Sequence, residues 1–246
     1  MASQLLSDCE YACGSPLNLY ASPGLSELAT QAAAGRQLRI LSPSSGSSSL
    51  SSPSLAALGK SKAAVEVLLC EDDYAGWTAA SSLGSLQSAT PYQAPVLSRS
   101  QISDRLPAVI EFAKAALAVP NTYLWGGTLG PNYDCSGLVQ AAFASAGVWL
   151  PRDSYQQAAF TQPIAADALA PGDLIFFGKA RVTHVALSLG GDRYLHSSGR
   201  QQGRNGIGID VLSAKGDEVS QTYYRQLRGA GRVMESYRPQ SRPFQC

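Results

Sequence analysis

The chain has 246 residues, 45% hydrophobic and 15% charged, which is typical of a globular protein with one large or two small domains. Nineteen basic and eighteen acidic residues give a net charge of +1 without a dense Lys/Arg run, so we expect no nucleic-acid partner. No stretch approaches the roughly 20 apolar residues that span a bilayer, and the first residues lack the pattern of a signal peptide. We therefore expect a soluble, cytoplasmic protein without a membrane partner.

Residues 1–98 are predicted to form a small β domain, because short β-prone runs recur there between turn signals. The serine-rich segment 42–54 has no apolar periodicity and is predicted to be a loop. Residues 88–104 contain two prolines among polar residues and are predicted to connect two domains. The predicted strands are residues 17–20, 37–41, 64–70 and 74–78.

Residues 99–246 form the second predicted domain, which mixes helices with strands. A first helix is expected behind Ser103 and Asp104, because apolar residues follow at helical spacing and Pro107 is tolerated in a first turn. Further along, strands are predicted at residues 174–177 and around each of the two histidines. The apolar positions of the first helix are Leu106, Val109, Ile110, Ala113 and Leu117.

The five cysteines of the chain, at positions 9, 13, 70, 135 and 246, are predicted to be thiols rather than a disulfide framework, since no export signal is recognised. Cys9 and Cys13 lack the further ligands of a zinc site. We expect neither a metal nor another cofactor.

Cys135 is the candidate nucleophile. A glycine-rich stretch ends at Asp134, and a helix pattern then runs to Gly147, which places Cys135 at a helix N-terminus. That position lowers a thiol pKa, and the first helix amides can donate to a developing oxyanion. The alternative is a small buried core residue.

His184 and His196 are the only histidines in the chain, so their register matters. A three-residue turn at 190–192 sets Leu187 opposite Leu195 and leaves both imidazoles on one, less apolar face. A two-residue turn would place the two imidazoles on opposite faces of the hairpin.

The three side chains can then act as nucleophile, base and orienter: His184 accepts the Cys135 proton, and His196 fixes the tautomer of His184. Two alternatives stay open at this point. The histidines could face solvent, or the three residues could bind zinc, although no catalytic carboxylate is evident for a metal site.

Six ordered motifs between about residues 105 and 238 resemble the NlpC/P60 cysteine peptidases, which are papain-like α+β enzymes that cut peptidoglycan peptides. The first domain resembles the SH3-like β-barrel that precedes the catalytic domain in cyanobacterial γ-D-glutamyl-L-diamino acid endopeptidases of this family. The motifs are YLWGG, DCSGL, PRDSYQQ, LAPGDLIFFG, THVALSLG and YLHSSG.

The resemblance implies hydrolysis of the bond between γ-D-glutamate and the diamino acid in peptides with a free N-terminal L-alanine. The substrate would be L-Ala-γ-D-Glu-meso-diaminopimelate or its lysine analogue, and the process would be murein peptide recycling. Cys135, His184 and His196 match the family triad, Tyr123 matches a tyrosine near the nucleophile, and Asp134 matches a carboxylate that would bind the alanine ammonium. Asp134 could instead, or also, cap the Cys135 helix.

Three further positions are implied as substrate contacts: Ser154 in the second domain, and Asp73 or Tyr74 where the barrel would close the alanine end of the cleft. Two other functions stay open, a binding protein without activity and an acyltransferase or amidase that uses the same thiol. The sequence leaves the preferred diamino acid and the oligomeric state open.

Overall fold

A computed structural model describes residues 9–41 and 63–240. The serine-rich segment and Cys246 lie outside the described residues. Pro95–Tyr237 form one compact unit, and the other described residues, including those from Arg238 onward, form a second. The sequence-based boundary at residue 98 lies close to this division, but it assigned the residues after Tyr237 to the catalytic domain.

The first unit is a seven-stranded sheet in which neighbouring strands are antiparallel, in the order β3-β2-β6-β5-β4-β1-β7. Apolar side chains on one side of the strands, such as Leu19, Leu38 and Val67, are fully buried. The prediction recognised β2, β4, β5 and β6 and missed the other three, which are short or rich in polar and small residues. The strands are β1 Glu10–Cys13, β2 Leu17–Tyr20, β3 Leu28–Ala32, β4 Gln37–Ile40, β5 Ala64–Leu69, β6 Ala75–Ala79 and β7 Leu86–Ser88.

The second unit combines helices with a six-stranded antiparallel sheet of order β10-β15-β11-β12-β13-β14, an α+β architecture. Its helices are α1 Arg99–Ala118, α2 Cys135–Ser145, α3 Ser154–Phe160 and α4 Glu218–Tyr224. A small hairpin consists of β8 Thr128–Leu129 and β9 Asn132–Tyr133. The sheet strands are β10 Gln162–Ile164, β11 Leu174–Phe177, β12 His184–Gly190, β13 Arg193–Ser198, β14 Gly206–Val211 and β15 Leu227–Arg232.

Helix α1 begins five residues earlier than a cap at Ser103 would predict. Ser98 is its N-cap, and a capping box joins the side chains and backbones of Ser98 and Gln101. This Ser-x-x-Gln pattern is a recognised signal for the start of a helix. The sequence analysis instead favours a cap at Ser103, because apolar residues follow it at helical spacing. Pro107 therefore lies inside the helix rather than in its first turn.

Both faces of the six-stranded sheet are buried. The candidate site therefore lies between the sheet and the helices that pack on it. Apolar residues of α1 and α2 pack with Leu174, Val185 and Leu187 on one face. On the opposite face, Tyr223 of α4 packs with a second cluster that includes Phe177. The side chains of β12 alternate between these two layers, as a strand requires.

The hairpin between β12 and β13 has the predicted register, but its turn differs from the predicted one. Leu187 pairs with Leu195, as expected, but Gly190 pairs with Arg193, so the turn has only two residues. A bulge between Ser188 and Gly190 supplies the extra residue, which preserves the side-chain parity that a three-residue turn would give.

Cys13, Cys70 and Cys135 are free thiols, whereas Cys9 is disulfide-bonded, which corrects the expectation of thiols at that position. Within residues 9–41 and 63–240, no helix combines the length and apolar character that a membrane crossing requires.

Candidate active site

Cys135 is the first residue of α2, as the sequence predicts, and its side chain is almost entirely buried. The helix start packs closely on the glycine-rich segment before it: a Cβ on Gly137 would lie 2.0 Å from the carbonyl oxygen of Gly127. Only glycine fits at position 137 without moving this backbone. The motif DCSG therefore holds the thiol and the first helix amides in a fixed place.

Asp134, the N-cap of α2, is the centre of a buried polar network. Its Oδ1 accepts from the Gly137 amide at 2.6 Å, and its Oδ2 accepts from the Gly126 amide at 2.9 Å. Arg152 donates to both oxygens, at 3.2 and 2.6 Å, and is itself 1% exposed. The hydroxyl of Ser136 adds a further contact to Oδ1 at 3.3 Å.

These contacts bear on the predicted ammonium-binding role of Asp134. Two donors reach Oδ2 and three reach Oδ1, and Arg152 already neutralises the buried charge. A substrate ammonium would have to displace Arg152 from a buried bidentate pair, which is strongly unfavourable. The geometry therefore favours the capping role of Asp134 over contact with substrate.

His184 and His196 lie on the same face of neighbouring strands, and Nε2 of His184 is 2.8 Å from Nδ1 of His196. The rings are perpendicular. Tyr223 covers both, with its ring centroid 4.5 Å from that of His184 and 4.8 Å from that of His196. The histidine face of the sheet is thus a packed aromatic layer, not the open cleft wall expected from its weaker apolar pattern.

The thiol lies beside the backbone that directly follows the first histidine. The backbone amides of Ser136 and Val185 donate toward the sulfur of Cys135, and Val185 directly follows His184. Because Nε2 of His184 is bonded to His196, Nδ1 is the nitrogen left for the thiol. Cys135 and His184 retain 7% and 9% exposure while His196 has none, so solvent reaches the first two residues and not His196.

Burial favours the neutral forms of both Cys135 and His184. It raises the pKa of the Cys135 thiol to about 12, an effect that the charge of Asp134 increases and the two backbone amides oppose. It also lowers the pKa of His184 well below 6.5, and His196 adds to this shift. Helix position alone therefore does not produce a thiolate here.

Asp210, which the sequence analysis missed, extends the pair of histidines inward. Its Oδ2 is 2.7 Å from Nε2 of His196, and the residue is 3% exposed. It lies on β14, where Tyr194 pairs with Asp210 and His196 pairs with Gly208. The alternating segment GIGIDV could have indicated a strand beside β13, with Asp210 on the histidine face.

Tyr123 and Ser154, the predicted substrate contacts of the second unit, lie on segments next to Cys135. Burial raises the pKa of the Tyr123 hydroxyl, and the nearby Cys135 and Asp134 raise it further. Ser154 begins α3, and Gln157 of that helix donates to the carbonyl oxygen of Ser136 at 3.1 Å. Their contact with substrate stays a prediction.

Asp73 and Tyr74, the predicted substrate contacts of the first unit, follow strand β5. Asp73 has a φ of 54° and accepts a hydrogen bond from the backbone amide of Gln240 at 2.6 Å. Tyr74 packs against the core of its own unit. Their role at the alanine end of a cleft stays a prediction.

The zinc alternative requires metal coordination by both imidazoles. The facing nitrogens of His184 and His196 are 2.8 Å apart, the separation of a direct hydrogen bond. Zinc lies about 2.0–2.1 Å from each histidine nitrogen, so an ion between these atoms would require the rings to separate. The second nitrogen of His196 already bonds Asp210. This arrangement favours the nucleophile, base and orienter over a zinc site.

Two models of known protein families match separate parts of the chain. The NlpC/P60 family model matches residues 120–228, and the model of the bacterial dipeptidyl-peptidase SH3 domain matches residues 19–83.

Two similar proteins are both named gamma-D-glutamyl-L-lysine dipeptidyl-peptidase. The one from Bacillus subtilis is 36% identical over 109 residues, which are 43% of this chain and 34% of the relative. The one from Bacillus cereus is 39% identical over 106 residues, which are 40% and 31% of the two chains. The matched segment thus spans about a third of these relatives.

A solved NlpC/P60 family structure from Bacillus cereus aligns with a TM-score of 0.47 and 22% identity, over 92% of this chain and 64% of the other. The two family models match separate segments, one in each unit. The chain therefore carries a bacterial dipeptidyl-peptidase SH3 domain, followed in sequence by an NlpC/P60 domain.

Proposed function

We propose that this protein is a cysteine peptidase that hydrolyses the γ-D-glutamyl–diamino acid bond of murein stem peptides with a free N-terminal L-alanine. The observation that carries the proposal is the arrangement of Cys135, His184 and His196, in which a thiol at a helix start lies beside the backbone of the strand that begins with His184, and His196 orients the His184 ring. The names of the two Bacillus relatives support this bond and a diamino acid of the lysine type.

The proposed reaction begins with the neutral thiol. Nδ1 of His184 accepts the thiol proton as the Cys135 sulfur bonds to the γ-carbonyl carbon of the D-glutamyl residue. The backbone amide of Cys135, the first residue of α2, would donate to the carbonyl oxygen as negative charge develops there. The imidazolium then protonates the amine of the diamino acid, and the C–N bond breaks.

The second half of the reaction releases the acyl group. His184 accepts a proton from water, which attacks the thioester carbon, and the sulfur leaves and regains a proton. The products are L-Ala-γ-D-Glu and the free diamino acid. His196 holds the base in place throughout, because its hydrogen bond with Nε2 of His184 fixes the ring orientation.

A requirement for a free amine would restrict the enzyme to peptides already released from the glycan, which favours a role in peptide recycling. The predicted cytoplasmic location fits that role, and cell fractionation would test it. Exclusion of an N-acylated peptide would follow if acidic groups at the alanine end needed an ammonium partner, since a buried unpaired group costs about 1–3 kcal/mol.

The test incubates the protein with L-Ala-γ-D-Glu-L-Lys, its meso-diaminopimelate analogue and the N-acetyl form of each, and identifies the products by mass spectrometry. We expect release of the free diamino acid from the two free-amine peptides. No release from any peptide would overturn the proposal and favour a binding protein. A transferred acyl product in place of the free dipeptide would favour an acyltransferase, and equal cleavage of the N-acetyl forms would remove the free-amine requirement.

A further inference from the structure

The carboxylate of Asp210 is held from several sides at the buried end of the histidine pair. Arg204 donates through Nε to Oδ2 at 3.1 Å and through Nη2 to Oδ1, and the hydroxyl of Ser220 contacts Oδ1 at 3.4 Å. Burial alone would raise the pKa of Asp210, but the hydrogen bonds from His196 and Arg204 outweigh it and lower that pKa. Asp210 is therefore an anion that accepts hydrogen bonds and donates none.

This anion determines where the protons of both imidazoles lie. Nε2 of His196 must carry a hydrogen in order to donate to Asp210. Burial lowers the pKa of His196, so the ring is neutral and its Nδ1 is a bare acceptor. The 2.8 Å contact must then be donated by Nε2–H of His184. A neutral His184 with hydrogen on Nε2 has its lone pair on Nδ1, the nitrogen left for Cys135.

We propose that Asp210, held by Arg204, is a positioning residue that sets the tautomers of both histidines and thereby leaves Nδ1 of His184 free to accept the thiol proton. The opposite tautomers would place a hydrogen on Nδ1 of His184, and the base could not accept another. The kinetic consequence rests on the proposed peptidase function. The tautomers themselves can be measured without any substrate.

The fold provides space for the guanidinium that holds Asp210. Gly208 pairs with His196 across the two strands, and a Cβ there would lie 3.1 Å from Cδ of Arg204. Arg204 also bonds Asp217, the N-cap of α4, at 2.6 Å. Asp217 thus shares Arg204 with Asp210, but of these two carboxylates it is Asp210 that bonds His196, which makes Asp217 a matched control.

The first test is a long-range proton–nitrogen NMR spectrum of the protein labelled with ¹⁵N-histidine. The chain has two histidines, so the spectrum contains four ring nitrogens and both tautomers can be assigned. At neutral pH we expect hydrogen on Nε2 of both rings. Hydrogen on Nδ1 of either ring in the wild-type protein would overturn the proposal, whether or not the peptidase activity is found.

The second test removes the anion. Asp210→Leu leaves Nε2 of His196 without its acceptor, and we expect both rings to move to the Nδ1–H form. The turnover number kcat should fall on the order of 10³-fold with little change in KM, as expected when a wrong tautomer disables the base. The rate at which iodoacetamide alkylates Cys135, mapped by peptide mass spectrometry, should fall in parallel.

Two further variants complete the design. Asp210→Asn keeps the side-chain shape if the Leu variant fails to fold, and we expect a mixture of tautomers and an intermediate kcat, because an amide retains one acceptor oxygen. Asp217→Asn should leave tautomers and kcat unchanged. Unchanged tautomers in both Asp210 variants would overturn the inference, as would equal effects of substitution at positions 210 and 217.

Discussion

The substitution Asp134→Asn distinguishes a capping carboxylate from one that binds substrate. Asn has nearly the same shape but replaces one acceptor oxygen with a donor. If the amide nitrogen takes the place of Oδ2, the Gly126 amide and Nη2 of Arg152 lose their acceptor. If it takes the place of Oδ1, the Gly137 amide and Nη1 of Arg152 lose theirs. Either orientation leaves a buried guanidinium without its counter-charge.

The magnitude follows from the burial of both partners, since the side chain of Arg152 is 1% exposed and that of Asp134 9%. Removing one member of a buried ion pair costs about 3–5 kcal/mol, so we expect the free energy of unfolding to fall by that amount. As a control, substitution of the exposed Asp167 by Asn removes the same charge. It should change the free energy of unfolding by less than about 0.5 kcal/mol.

Urea denaturation followed by circular dichroism provides the measurement, together with KM for free-amine peptides. In a double-mutant cycle with Arg152→Met, the stability losses of the two single variants are added together. Their sum should exceed the stability loss of the double variant by about 1–3 kcal/mol, because the partners are in contact. A stability loss below about 1 kcal/mol, with KM raised only for free-amine peptides, would refute the capping account and restore the ammonium-binding role.

Two further predictions concern the histidines. His196→Ala should lower kcat by about 10²-fold or more while iodoacetamide still alkylates Cys135, because the orienting residue acts through the base; an unchanged kcat would remove His196 from the catalytic group. Because burial lowers the pKa of His184, kcat/KM should stay level from pH 8 down through 6.5 and fall only below it. The free energy of unfolding should also fall below pH 6.5, since histidines of the unfolded chain bind protons there and the buried ones do not. An acidic limb of kcat/KM at or above pH 6.5 would contradict this assignment.

The nucleophile and base could be predicted from sequence because local patterns determine their positions. The helix pattern that follows Asp134 places Cys135 at a helix start, and the structure agrees. The alternation of apolar residues sets Leu187 opposite Leu195, which brings His184 and His196 together. These inferences need only the periodicity of one helix and one hairpin.

The polar network around these residues could not be predicted in the same way. Arg152 reaches Asp134 from 18 positions along the chain, and Asp210 reaches His196 from 14. Their segments have no periodic signal that specifies which polar side chain turns inward or which partner it meets. A helix start predicts a lowered thiol pKa, but burial, which depends on residues distant in the chain, raises the pKa of Cys135.

We propose that the thiol of Cys135 cleaves the γ-D-glutamyl–diamino acid bond, and the rate of diamino acid release by Cys135→Ala tests this most directly. Cys13→Ala is the matched control, since Cys13 is another buried free thiol. With both variants confirmed as folded by circular dichroism, the account predicts no detectable release by Cys135→Ala and an unchanged rate for Cys13→Ala. Release by Cys135→Ala at the wild-type rate would contradict it.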